Sequence, residues 1–243
     1  MNTMPSGIRN SRGAALALGC LMTITCCATA AGLSDHGAYP AMAAVSHYRM
    51  ASKADEIALA KSAAPASIAD HAEVMVLGMY GYETAVKGTN GFVCLVVRSW
   101  DVDFADPEFW NPKMRAPQCM NAASVRSVLP RYLERTEWAL AGISRNEMQA
   151  RESAEWAAGT LKAPEIGAMC FMMSKDGYLN DAVAGPWHPH VMFYLPRTGG
   201  SQWGADLHDS PLESDSVNYA KTTILFVMVP NWSDGTPGPQ MQK

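Results

Sequence analysis

His188 and His190 are the residues whose types and spacing are best suited to chemistry. They stand in the run Gly185-Pro186-Trp187-His188-Pro189-His190-Val191-Met192-Phe193. Residues at i and i+2 of an extended chain point to the same side, and Pro189 keeps His188 extended because its ring clashes with a helical predecessor. Two neutral imidazoles on one face make half of a site for zinc, copper or iron. A third ligand must come from elsewhere, and His208, Asp206, Asp209 and Glu165 are candidates, with His71 more distant. The same pair could instead be catalytic without metal, one histidine acting as general acid or base beside Asp181 or Asp206. A hydrogen-bonded structural pair at the start of a strand is the third reading, and it is the commonest use of such a pattern.

The segments on either side of this strand support a binding surface. Residues 175–189 and 197–212 are long, carry glycine and aromatic residues, and flank the histidine strand at both ends. Long loops at strand ends commonly build sites. Tyr178, Trp187 and Trp203 could line a pocket for a small molecule or an envelope component, and Arg197 could hold an anion. The alternative is that the tryptophans plug the ends of the sheet.

Other chemistries find little support. The chain has no Gly-x-Ser-x-Gly elbow, Walker A loop, His-Glu-x-x-His or dinucleotide glycine fingerprint after a strand. Its many methionines, among them Met75, Met192 and Met228, fall in strand patterns as core filler and do not form exposed soft-metal clusters. Glu134 and Glu137 beside Arg131 and Arg135 read as a solvated helix face.

The elements that must position these residues follow from pattern. Ser52 with Asp55 resembles a capping box and opens a helix to about Lys61. Strands are expected at Glu73–Leu77, Tyr82–Val86 and 92–98. The last two are joined through Gly88-Thr89-Asn90-Gly91, whose Asn-Gly predicts a hairpin. Both faces of 92–98 are apolar, which predicts a central strand covered on both sides. Asp106-Pro107 starts a single turn to Trp110, Asn121 caps a segment to Leu129, and Pro130 restarts a helix to Gly142. Ser144 and Glu147 form a capping box for a helix that Gly159 ends. Strands return at 168–173, 190–195 and 222–229. The order strands, helices, strands predicts an α+β domain: a mostly antiparallel sheet of about six strands with the helices from the middle of the chain on one face.

The first thirty residues read as an export signal. Arg9 and Arg12 precede an apolar run from Ala14 to about Cys27, and Ala28-Thr29-Ala30 gives the small-x-small cleavage pattern. The run is roughly 14 residues, short of the ~20 needed to span a bilayer. The expected organisation is a signal peptide over 1–30, a flexible segment over 31–51 and one α+β domain over 52–243, in the periplasm or medium. Lipid anchoring at Cys20 or Cys26 is disfavoured by Ala17 and Thr23, where a lipobox wants an aliphatic residue. Without Arg9 and Arg12 the formal charge moves from -4 to -6, which gives no electrostatic reason to bind nucleic acid. No apolar run after residue 31 has the length of a transmembrane segment.

Cys94, Cys119 and Cys170 remain once the leader is removed, and an oxidising compartment favours pairing two of them. Cys119 sits in a loop-like Pro-Gln-Cys-Met segment, free to approach the Cys94 strand, whereas Cys170 lies inside an apolar run. Cys94–Cys119 is therefore the expected disulfide.

Three stretches resemble a group of uncharacterised exported bacterial proteins: Asn90-Gly91-Phe92-Val93-Cys94-Leu95-Val96 with its preceding residues, Glu108-Phe109-Trp110-Asn111-Pro112, and Trp187-His188-Pro189-His190 through Phe193. Trp232-Ser233-Asp234-Gly235-Thr236 is similar to the same group. The resemblance covers the chain from about residue 56 and implies a single shared domain, with no activity attached to it. The functional expectation is an exported metal-dependent or acid–base enzyme built on the His-Pro-His strand. The alternative is a non-catalytic ligand-binding or structural envelope module.

Overall fold

The computed structural model describes residues 38–181, 187–217 and 222–239. The leader over 1–30, and Gly185 and Pro186 of the histidine motif, lie outside the described residues. All described residues fall in the unit Asp35–Lys243.

The architecture is α+β around one sheet. Strands β1 (Glu73–Leu77), β2 (Tyr82–Val86), β3 (Val93–Val97), β4 (Ala116–Met120), β5 (Met169–Met172), β6 (His190–Pro196), β7 (Leu212–Val217) and β8 (Thr222–Met228) form an 8-stranded sheet. Its order is β2-β1-β3-β4-β5-β6-β8-β7, leaving β2 and β7 at the edges. Every neighbouring pair is antiparallel except β1 with β3, which is parallel.

Eight strands replace the expected six or so, and the two additions have different causes. Strand β4 contains Pro117, Gln118 and Cys119 and reads as a loop, yet all five of its residues are buried. Strand β7 (Leu-Glu-Ser-Asp-Ser-Val) lacks an apolar face because it is an edge strand.

The expected hairpin between β2 and β3 does not form. β2 turns back on β1 through Gly78–Gly81, where the Gly78 N–H donates to the Gly81 carbonyl at 2.8 Å. The Asn90-Gly91 loop instead crosses the start of β1, and Thr89 N–H donates to the His71 carbonyl at 2.8 Å. A Cβ at Gly88 would lie 2.1 Å from the Glu73 nitrogen, so only glycine permits that crossing. The chain thus lands on the far side of β1 and runs parallel to it.

Alternation in the central strands divides the core. Val93, Leu95 and Val97 of β3 face the same cluster as Met120, Cys170, Met172 and Met192. Helices α3 (Ala122–Ser127) and α4 (Leu129–Leu140) cover that face through Val128, Leu129 and Tyr132. Cys94, Val96 and Cys119 face the other way, onto alanines of α1 (Lys53–Lys61) and α2 (Ala66–Ala69). Helices therefore lie on both faces, with those from the middle of the chain on one. The caps are as expected: Ser52 accepts from Asp55 N–H at 3.1 Å, Ser144 from Glu147 N–H at 3.3 Å, and Gly159 closes α5 (Arg145–Ala158) at φ +74°.

The lead-in to α1, expected to be flexible over 31–51, is tied down where it is described. Tyr48 is fully buried beside Trp100, and its hydroxyl donates to the Trp110 carbonyl at 2.8 Å. The Tyr48 carbonyl in turn accepts from Arg98 Nε at 2.7 Å.

Cys94 and Cys119 are register partners across β3 and β4, with Cα atoms 4.0 Å apart and their sulfurs at disulfide distance. The pairing follows the sequence expectation, but its basis changes: Cys119 is held opposite Cys94 by a strand and not delivered by a loop. Cys170 is free and buried on the opposite face.

Candidate functional site

Register on the helix-covered face builds the site. Cross-strand pairs Val97↔Ala116, Met172↔His190 and Met192↔Phe226 set these side chains in one field. Above them opens a cleft of about 470 Å³, lined by Met114, Met172, Met192, Ile224 and Phe226 among its apolar residues. Its polar lining includes Asp101, Asp106, Glu108, Gln118, Asn180 and His190. A mostly apolar concavity with a few polar groups is the usual form of a small-molecule site.

His190 occupies the first position of β6 and is 7 % exposed. Its Nδ1–H donates to the His188 carbonyl at 2.9 Å, the bond formed by the neutral ring that leaves Nε2 as the acceptor. Nε2 is buried and finds no partner among the described residues. The ring is wedged edge-on between Trp187 at 5.1 Å and Phe226 at 5.4 Å. Burial holds its proton affinity below that of an ordinary imidazole; the bond to His188 opposes this, and the nearby His188 ring reinforces it.

Asp101 ends the short 3-10 turn Ser99–Asp101 that follows β3. Trp100 pins this turn by donating from Nε1 to Thr136 Oγ1 of α4 at 2.9 Å. Arg135, also on α4, donates to the Trp100 carbonyl at 3.2 Å and the Val102 carbonyl at 2.8 Å, the two that bracket Asp101. The Arg135 charge is met by Glu152 of α5, with which it forms a fully buried pair. Asp101 itself is 7 % exposed, and neither carboxyl oxygen has a hydrogen-bond partner among the described residues. Burial outweighs the attraction of Arg135 and Arg131 and pushes its pKa up to about 8, so the group is largely protonated at neutral pH.

Beneath the cleft lies a buried polar chain. Cys170 Sγ is 3.3 Å from Tyr194 Oη, which donates to Gln118 Oε1 at 3.5 Å and is hydrogen-bonded to Tyr132. Burial pushes the Cys170 thiol up to about 12, so it packs as an inert thiol.

The residues singled out from sequence are only partly assembled here. Trp187 supports His190, and His188 supplies the orienting carbonyl. His208 is exposed and paired with Asp209 at 2.9 Å. Asp206 accepts from the Ser214 hydroxyl and from Ser214 N–H at 2.8 Å, and these bonds hold its pKa below the usual aspartate value. Glu165 is bound to Arg126, and Asp181 to Tyr178, Tyr39 and Lys113. Trp203 is 52 % exposed and Arg197 is exposed; with Tyr178, both lie outside the cleft lining. Among the described residues no three His, Cys, Asp or Glu side chains come together to hold a metal ion. The half-site reading of His188 and His190 thus gains no third ligand.

Sequence reasoning missed Asp101 and Gln118. A carboxylate four residues beyond a strand apolar on both faces was the available signal for Asp101. Gln118 gave none, because its strand went unrecognised. No protein-family model matches the sequence, and no curated protein or solved structure matches the chain.

Proposed function

We propose that this is an exported protein that binds a small, largely apolar molecule in the cleft over β4, β5, β6 and β8. The ligand's body rests on Met172, Met192, Ile224 and Phe226, and its polar groups meet Asp101 and His190. One observation carries the reading: two buried polar groups, Asp101 and His190 Nε2, stand unpartnered in the wall of the same apolar cleft. A buried polar group without a partner costs about 1–3 kcal/mol. A ligand that hydrogen-bonds both recovers that cost, which is a physical reason for the fold to keep them.

A second reading is favoured by the two protonation states. His190 is held neutral with its Nε2 lone pair unused, and Asp101 is held protonated. Two groups of one cleft with proton affinities pushed in these directions suit a general base and a general acid. Proton transfer on the bound molecule then follows from the same site.

Fragment screening by thermal shift tests the binding reading, with Met192→Trp as the variant that fills the cleft. Fragments that raise the melting temperature of the wild type and not of the variant support it. Fragments that stabilise both equally, or a library with no stabilising member, overturn it. Deuterium incorporation from heavy water into a bound fragment would add the catalytic role.

A further inference from the structure

We infer that the ligand of this cleft carries a protonated amine on its apolar body, with the ammonium N–H groups donated to Asp101. This rests on the cleft being the binding site. Among the described residues the lining contains three carboxyl side chains, Asp101, Asp106 and Glu108, and no lysine or arginine. Its one imidazole has committed Nδ1–H to the His188 carbonyl and has only an acceptor to offer. Asp106 and Glu108 are half-buried and partly engaged: Asp106 Oδ1 accepts from Glu108 N–H at 2.8 Å, and Glu108 Oε2 accepts from Asn111 Nδ2. Asp101, farther from water, has no hydrogen-bond partner for either carboxyl oxygen among the described residues. Once Asp101 is ionised, the carboxyl groups and the free imidazole nitrogen of this wall are acceptors, and an ammonium, which has three donors and no acceptor, is the complement of the carboxylate.

The cations near Asp101 do not fill that role, because each is committed behind the wall. Arg135 is bound to Glu152 and to the two backbone carbonyls bracketing Asp101, Arg131 lies 3.6 Å from Glu152, and Arg98 is paired with Glu56 at 2.8 Å. Glu152, which faces Asp101 from α5, favours the protonated carboxyl, while the three arginines oppose it. A bound ammonium is a cation placed on the cleft side. It ionises Asp101, and the proton leaves to solvent. A carboxylate ligand would meet three acidic groups with no counter-charge, and an alcohol would satisfy the acceptors without the charge.

The test is calorimetry on the full exported chain with 2-phenylethylamine, 2-phenylethanol and phenylacetate, three probes of one shape differing in the charged group. The amine should bind at least about tenfold more tightly than the alcohol near neutral pH, and phenylacetate more weakly than either. Its heat should depend on the ionisation enthalpy of the buffer, reporting proton release, and its advantage should grow from about pH 6 to about pH 9. In Asp101→Asn the amine's advantage over the alcohol should collapse; His190→Gln, which leaves Asp101 in place, should retain it. Equal or tighter binding of the alcohol or the carboxylate overturns the inference while leaving the cleft as a site. Failure of all three to bind overturns it as well, and if the fragment screen also finds nothing that Met192→Trp excludes, the binding reading falls with it.

Discussion

Arg135 brackets Asp101 without pairing with it. The guanidinium donates to the carbonyls on either side of the aspartate and to Glu152, and the carboxyl between those carbonyls is left to the cleft. A buried charge pair is weak evidence for stability in itself. Here it has a local effect: burial raises the Asp101 pKa by more than the pull of Arg135 lowers it, and the charge of Glu152 adds to the rise.

Stability should carry the signature of that carboxyl. Unfolded, Asp101 loses its proton near 3.8, whereas folded it keeps it up to about 8. Between those values the native state binds the extra proton. Its contribution is therefore full below the lower value and is lost as pH rises through the upper one. The melting temperature of Asp101→Asn should rise relative to wild type across that window; parallel curves would show that the carboxyl is not perturbed.

His190 has the opposite sign of dependence. Its folded proton affinity lies below the ordinary 6.5, so its contribution is present above that value and is lost as pH falls through the folded one. Urea unfolding of His190→Gln should show a flatter acid limb than wild type. An unchanged limb would assign acid sensitivity to other groups.

Removing one partner of the Arg135–Glu152 pair should be costly. Both side chains are fully buried, and an uncompensated buried charge typically costs about 3–5 kcal/mol. Glu152→Gln is expected in that range by chemical denaturation, and the double variant Arg135→Met/Glu152→Leu should lose clearly less than the sum of its single changes. Additive losses would mean that the two do not act as a unit.

Peptide mapping of oxidised protein should recover Cys94 joined to Cys119, and reduction should lower stability by about 2–4 kcal/mol. Cys170 should resist alkylation until the protein unfolds, because burial suppresses its thiolate. A rapidly alkylated Cys94 in the native protein would break the assignment.

How much could be read from the chain depended on where each constraint acts. Strand β3 was legible because burial on both faces leaves a continuous apolar run, and the caps at Ser52, Asn121, Ser144 and Gly159 are local by nature. The Asn90-Gly91 hairpin misled because its turn chemistry is real while the partner is set by Gly88 crossing β1, a contact with residues well upstream. Strand β4 is buried by its neighbours despite Pro117 and Gln118. Asp101 looks like any loop aspartate until α4 and α5 close behind it, and His190 could be found only because its strand and its histidine spacing coincide. A shared metal was one of three readings of the histidine pair, beside acid–base chemistry and a hydrogen-bonded structural pair; what links the two is the His188 backbone carbonyl.

The outer strands have a further consequence. Glu83 on β2 and Glu213 and Asp215 on β7 are exposed on the two rims of an open sheet. Glu83 is met by Lys53 at 3.5 Å, but a second copy approaching β7 to β7 would set carboxylates beside carboxylates, and such charges are a common guard against strand-by-strand polymerisation. That guard is electrostatic and therefore conditional. Acid strong enough to neutralise the rims removes it while the unpaired backbone donors and acceptors remain, so concentrated protein at low pH is where fibrous association of this chain should be sought.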